Sequence, residues 1–282
     1  MSDPLGTRPA PGPDQPPIPV RLVTFNTHHG VGDDGRHDLP RLATVLAAAD
    51  ADLICLQEVD RYFGGRSEDV DQALLLSRAL DMQLAWGPAI DEPRRDRGLR
   101  RQYGNALLSR LPILVSDVHP LPGGGEPRSA LRTMVELDGA ALWVTTTHLS
   151  PRSPQERAEQ LAAIAQLHTE QMQTGVLVGD FNADPGAPEL AALTGRFTDA
   201  WELAPDREDR AGWRFWHAGH GRTHPARRPH RRIDQVWVSS GVGVARAHVL
   251  DGPRARFLLW VTARADGGER LEQVLDLPVS GS

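Results

Sequence analysis

The sequence predicts an α+β fold, a sandwich of two β-sheets packed face to face with helices outside. Three observations predict it. Helical and strand patterns alternate in the first part of the chain, hairpin signals intrude later, and the composition does not break between Val20 and about Ala265. Val20–Phe25 reads as a strand, and Leu39–Ala49 as an amphipathic helix entered through Asp38, with Pro40 in its first turn. Leu53–Leu56 is a short buried strand running into Gln57-Glu58-Val59, and Val70–Leu80 carries apolar residues at helical spacing. Ala106–Leu108, Thr133–Leu137 and Ala141–Thr147 read as strands, the last two joined by the hairpin signal Asp138-Gly139. A helix is expected from Pro154 to about Gln171, then strands at Val176–Gly179, Gln235–Val238, Val242–Leu250 and Phe257–Ala263. The stretch from Asp206 to Arg232 has no period and reads as a long loop. A domain over residues 20–265 is therefore expected between a Pro-rich, disordered tail (1–19) and a C-terminal tail (266–282).

Composition bounds the function. With 40% hydrophobic residues in 282, the chain can bury a large core. Its net charge is −6, and every basic side chain other than histidine is Arg. Such a chain lacks the basic footprint that holds duplex DNA by charge alone, although a local Arg cluster can still grip one phosphate. The single cysteine, Cys55, excludes an internal disulfide framework and a cysteine-based zinc site. It lies in the apolar run Asp52–Leu56 and reads as a small buried hydrophobe rather than a nucleophile. No apolar run reaches the roughly 18 residues of a membrane span. The N-terminus lacks the charged-then-apolar order of a signal peptide. The expected location is the cytoplasm, with no integral membrane segment and no obligate protein partner evident.

Several polar residues sit at the ends of predicted strands: Asn26, Glu58, His148, Asp180 and Asn182, with Asp234 just before the strand QVWVS. Strand ends meeting at one edge of a sandwich make a rigid platform for a polar site. Carboxylates and an amide without cysteine are hard oxygen ligands that suit Mg²⁺ or Mn²⁺ rather than zinc. Any one of these residues alone is more often a turn or cap residue. Their combination carries the weight.

In order along the chain stand TFNTHHG (24–30), LQEVD (56–60), YGNALLSR (103–110), TTTHL (145–149), GDFNADP (179–185) and RRIDQVWVS (231–239). This ordered set resembles the endonuclease/exonuclease/phosphatase superfamily of metal-dependent hydrolases, over about Val20 to Ala263. Arg66-Ser67 and Asp71-Gln72 resemble its bacterial metal-dependent hydrolase branch. The resemblance implies a four-layer α-β-β-α sandwich of two mixed sheets, with the site at one end. It implies Glu58 as the principal Mg²⁺ (or Mn²⁺) ligand with Asn26 beside it, and His148 as a donor to the phosphate oxygens. It implies Asp180 as the group that orients or deprotonates the attacking water, Asn182 as its partner, and Asp234 as the aspartate that orients a C-terminal histidine. Asn105, Arg66 and Arg232 are the candidates for substrate contact. The substrate class is a phosphate ester, whether lipid-derived, nucleotide or nucleic acid.

One departure stands out. The superfamily precedes its last strand with a Ser-Asp-His signature, followed one residue later by Pro; here the same places hold Arg256, Phe257, Leu258 and Trp260. Asp234 thereby loses its expected partner, and nothing in the spacing favours His224, His230 or His248 as a replacement. Two function classes follow: a Mg²⁺-dependent hydrolase of phosphodiesters or phosphomonoesters, or a catalytically degenerate phosphate- or partner-binding scaffold. Around the site, Arg94, Arg95, Arg97, Arg100 and Arg101 read as a solvated loop beside Asp91, Glu92 and Asp96. Arg227, Arg228, Arg231 and Arg232 read equally as loop or as phosphate contacts. The Trp residues of GWRFWH (212–217) suit either loop packing or stacking on a base or headgroup.

Overall fold

Two mixed sheets carry the chain in the computed structural model, which describes residues 19–94, 98–137, 139–168, 174–209, 221–225, 229–250 and 258–265. The elements run β1 (Pro19–Asn26), α1 (Leu39–Ala48), β2 (Leu53–Arg61), α2 (Gln72–Leu80), β3 (Gln83–Pro93), β4 (Arg100–Ser109), β5 (Ile113–Leu121), β6 (Arg128–Leu137) and β7 (Ala140–His148). Then follow α3 (Pro154–Leu167), β8 (Gly175–Asp180), β9 (Thr198–Asp199), α4 (Ala200–Leu203), β10 (Asp206–Asp209), β11 (Asp234–Val238), β12 (Val242–Leu250) and β13 (Leu258–Ala265). One sheet has the order β10-β12-β13-β1-β2-β4-β3, the other β5-β6-β7-β8-β11-β9. β1–β2 and β7–β8 pair in parallel, while β2–β4, β6–β7 and β8–β11 are antiparallel.

The layers follow from which side chains alternate. Leu22, Cys55, Val144, Val176, Val178 and Val236 bury between the sheets. Their neighbours Val23, Ile54 and Leu56 turn outward onto Leu42, Leu46 and Leu76 of α1 and α2. Leu177 and Trp237 turn outward on the other sheet, onto Leu161 and Ile164 of α3. Both faces of the central strands are covered, which explains their near-continuous apolar sequence. This is the expected four-layer α-β-β-α sandwich.

Helix starts lie where their caps put them. Asp38 accepts from Arg41 N at 2.9 Å, Asp71 from Leu74 N at 2.9 Å, and Ser153 from Glu156 N at 3.1 Å. Because Asp71 is a cap, α2 begins at Gln72 and not at Val70. The expected single loop from Asp206 to Arg232 opens instead with a strand, β10, paired in parallel with β12. Pro19, expected in the tail, opens β1. The rest of both expected tails, Asp138, Arg95, Arg97, Arg227, Arg228, the segment 212–217 and Arg256–Phe257 lie outside the described residues. No helix among the described residues is long and apolar enough to cross a membrane.

The seam between α3 and the second sheet contains a titrating group remote from the strand-end site. His168 is buried, its Nε2 lies 2.9 Å from Thr145 Oγ1, and its ring meets Phe197 edge-on at 4.9 Å. Burial, then the nearby Arg132 and Arg196 charges, push its pKa down from 6.5 to about 4. The folded value lies below the unfolded one, so the unfolded chain binds the extra proton between them. The resulting stability is fully present above about pH 6.5 and is lost as pH falls toward 4, about 3 kcal/mol in all. Urea unfolding at pH 7 and pH 4.5 should show this loss in wild type, and the loss should shrink in His168→Gln.

Candidate active site

Parallel pairing places the C-terminal ends of β1 and β2 together in one sheet, and those of β7 and β8 together in the other. β1 ends on Asn26, β7 on His148 and β8 on Asp180. Glu58 reaches the same end by a bulge: the β2–β4 register shifts between Leu56 and Val59, and Glu58 adopts φ 56°. A bulge re-aims a side chain that strict alternation would send into a sheet face. Two glycines permit the close approach of strands here. A Cβ at Gly179, in GDFN, would lie 1.9 Å from Thr147 O, and one at Gly104, in YGN, 2.2 Å from Gly87 O.

The amide of Asn26 ties the two sheets together. Its Nδ2 donates to Glu58 Oε1 at 2.7 Å and to Asp180 Oδ2 at 3.0 Å, while its Oδ1 accepts from His28 N at 2.9 Å. These bonds fix which end of the amide faces which partner. Asn26, expected beside Glu58 at a cation, does stand beside Glu58 and bonds to both carboxylates. The second Asp180 oxygen accepts from Asn182 N at 2.9 Å, and Asn182 Nδ2 donates to Leu149 O at 3.0 Å.

His148 sits 3.7 Å (Nε2) from Asp180 Oδ2, and its Nδ1 lies 2.9 Å from Arg128 Nη1. Arginine can only donate, so Nδ1 is the acceptor and the ring proton resides on Nε2. Burial pushes the His148 pKa down, Arg128 adds to this, and Asp180 opposes it. The site therefore holds a neutral imidazole whose N–H faces Asp180. Arg128 is itself buried, with Nη2 3.0 Å from Glu126 Oε1. Burial and the charges of Glu58 and Glu126 push the Tyr103 hydroxyl well above its ordinary pKa, so it stays protonated.

These groups border a cleft of about 310 Å³, lined on one side by Asn26, Glu58 and Arg66 and on the other by His148, Asp180 and Asn182. Arg66 stands at the lip, paired through two bonds (2.8 and 2.7 Å) with the fully buried Asp60 and stacked 3.9 Å over Phe63. The other three expected residues lie behind the wall. Asn105 is buried and donates to Ser129 O at 3.0 Å, bordering only a recess of about 10 Å³ behind Glu58 and His148. Asp234 is buried opposite Asp180 in the β8–β11 register, and its N–H donates to Thr223 Oγ1 at 3.2 Å.

Arg232 is not among the residues lining the cleft. Expected at a phosphate, it is instead buried in two bonds to Asp199 (2.8 and 2.5 Å) and lies 5.8 Å from the Trp201 ring. Its guanidinium is bound in place by that buried pair. Sequence reasoning also passed over cleft residues: His28, His29, Tyr103, Glu126 and Arg128; His224, weighed there only as a replacement histidine, lines the cleft as well. The two histidines stand inside TFNTHHG and were legible as neighbours of Asn26. Arg128 was hidden because its strand was read from Thr133 rather than from its true start.

A two-sheet sandwich presents carboxylates, an amide and a neutral histidine from paired strand ends to one open cleft, and family membership makes the chain a phosphoesterase- or nuclease-type hydrolase. The chain belongs to the Endonuclease/Exonuclease/phosphatase family, whose model matches residues 23–267. Members of that family generally depend on a divalent metal. The chain is 27% identical over 240 residues to the Escherichia coli uncharacterized protein YbhP, covering 78% of this chain and 85% of that one. Among solved structures it is similar to an endonuclease/exonuclease/phosphatase from Beutenbergia cavernae, with TM-score 0.69 and 27% identity over 89% of this chain and 72% of that one. It shares its fold with a mannosyl-6-phosphatase of Bacteroides thetaiotaomicron, with TM-score 0.65 and 18% identity over 86% of this chain and 99% of that one.

Proposed function

We propose that this chain hydrolyses a phosphate ester in the cleft between Glu58 and Asp180, with Mg²⁺ or Mn²⁺ as its cofactor. The observation that carries the reading is the Asn26 amide bonded to both carboxylates, which brings one anion from each sheet to one opening. Two carboxylates held this close would repel an anionic ester, and the donor set would suit a divalent cation that offsets their charge. Glu58 would hold it, with Asn26 beside it. When bound, it supplies charge neutralisation at the phosphate and a more acidic water.

The remaining roles belong to the chain's own side chains. Asp180, its oxygens oriented by Asn26 and by Asn182 N–H, takes the proton of the attacking water as the water oxygen bonds to phosphorus and the ester P–O bond breaks, the leaving alkoxide taking a proton from solvent. His148 donates from Nε2 to a non-bridging phosphate oxygen, and Arg128 holds the ring in that tautomer. Asn182 frames the water, Asp234 backs Asp180 from the neighbouring strand, and Asn105 supports the wall beneath Glu58. Arg66 at the lip faces the ester's anionic oxygens. A cleft of about 310 Å³ accommodates a small phosphorylated head group, and the net charge of −6 disfavours a long polyanion. The substrate is therefore a small or lipid-derived phosphate ester in preference to duplex DNA, acted on in the cytoplasm.

A second reading, a phosphate- or partner-binding scaffold without turnover, is favoured by one feature: β13 begins with Leu258 where a histidine would stand. Titration calorimetry with Mg²⁺ or Mn²⁺ tests the metal assignment common to both. Glu58→Ala should weaken binding by at least about 10-fold, the scale on which a ligand-set change acts. Equal affinity in the two proteins would remove Glu58 from the cation site.

A further inference from the structure

Beside Glu58 the structure holds two further donors, His28 and His29, that the hydrolytic reading leaves idle. His28, His29 and Glu58 each offer a ligand atom, and these atoms all lie within 4.8 Å of one another. The two imidazoles are adjacent in sequence, with ring centroids 4.5 Å apart and planes at 49°. Consecutive side chains on an extended strand point to opposite faces. Here both residues adopt φ 46°, and the left-handed turn brings both rings to the cleft.

That turn is anchored on every side. His28 N donates to Asn26 Oδ1, and the same amide donates to Glu58 Oε1. The His29 carbonyl accepts from Gln72 Nε2 at 2.8 Å, and Gln72 Oε1 accepts from Asp60 N at 3.0 Å. Gln72 is fully buried on α2, so the helix layer pins the histidine turn to the strand carrying Glu58. His28 Nδ1 lies 3.4 Å from Val31 O, so a backbone carbonyl faces Nδ1 and Nε2 is the nitrogen turned to a ligand.

We infer that His28, His29 and Glu58 together form a mixed nitrogen–oxygen site that takes a first-row transition cation, Mn²⁺, Co²⁺ or Zn²⁺, in preference to Mg²⁺. This rests on the proposed cation at Glu58 and narrows its identity. Imidazole nitrogen suits borderline transition ions, whereas Mg²⁺ demands oxygen ligands and keeps its waters. A cation about 2.1 Å from each donor needs ligand atoms about 3–4 Å apart, so the three side chains have only a short distance to close. Asp180 is left outside this set, held through Asn26, and stays available as a base.

The test measures the metals alone on the full chain. Affinities for Mg²⁺, Mn²⁺, Co²⁺ and Zn²⁺ are taken by calorimetry, and Mn²⁺-loaded protein is examined by pulsed electron paramagnetic resonance for imidazole nitrogen coupling. Variants are His28→Asn with His29→Asn, and Glu58→Ala; Asn is chosen because it tolerates the left-handed backbone. Circular dichroism confirms folding, and His28→Asn and His29→Asn singly serve if the double variant does not fold. Wild type should bind Co²⁺ at least about 10-fold more tightly than Mg²⁺ and show the nitrogen coupling. The histidine variants should lose the coupling and about 10–100-fold in Co²⁺ affinity, with Mg²⁺ affinity nearly unchanged. A coupling that survives the double variant, or Mg²⁺ bound as tightly as Co²⁺, would overturn the inference. The hydrolytic reading has a separate arm: ester turnover by wild type with Mg²⁺ or Mn²⁺ tests that reading whether or not nitrogen coupling is found, and absent coupling in a wild type that turns over overturns this inference alone.

Discussion

Asp180→Asn is expected to slow phosphate-ester turnover by about 10³–10⁴-fold while the sandwich stays folded. The substitution keeps the shape and one oxygen but removes the charge that accepts a proton from water. In wild type both oxygens accept, one from Asn26 Nδ2 and one from Asn182 N–H. Asparagine satisfies only one of these donors, so a stability cost of about 1–3 kcal/mol accompanies the kinetic loss. β8 remains clasped between β7 and β11, which holds the backbone in place. Initial rates with Mg²⁺ and Mn²⁺, read beside thermal melting, separate the two effects. An unchanged rate in folded protein would mean that Asp180 only caps the turn after its strand.

Restoring the lost signature is expected to act in the opposite direction. Phe257→Asp with Leu258→His should raise turnover by up to about 10²–10⁴-fold, the usual worth of a positioned acid or hydrogen-bond donor. The register supports the placement. β13 pairs antiparallel with β1, with Leu259 opposite Thr24, so position 258 lies toward the end of β1 that carries Asn26. The gain is sensitive to position, since about 1 Å of misplacement costs about 10²-fold. Melting is measured alongside, because polar groups entering the start of a strand need partners. If the folded double variant is no faster than an already active wild type, another residue supplies the proton. Among the alternatives, His224 lines the cleft, whereas His248 is buried within β12.

Much of this was legible in the sequence because the central strands are covered on both faces. Val20–Phe25, Leu53–Leu56 and Val176–Gly179 announce themselves as apolar runs, and Asp38 marks a helix start. β3 and β5 were missed for the converse reason. Both are sheet edges, tolerate Pro88 and Pro120, and expose residues such as Leu114 and Val115, so neither apolar run nor alternation marks them. At the site, residues ending a strand were found because the strand itself was found. Glu58 was found beside its strand too, but the bulge that turns it to the cleft has no period to announce it, and the Arg232–Asp199 pair joins positions that no local pattern relates.

The central claim, hydrolysis of a phosphate ester at the Glu58–Asp180 cleft, is tested most directly by one rate measurement. Wild type and Glu58→Ala are offered a panel of phosphomonoesters, nucleotide and lipid-derived phosphodiesters, and single- and double-stranded DNA, each with Mg²⁺, Mn²⁺ or chelator. The account predicts metal-dependent release from at least one small or lipid-derived ester, abolished by chelator and reduced at least about 10²-fold in Glu58→Ala. Folded wild type that releases nothing from any substrate with either metal would contradict it and leave the chain a scaffold.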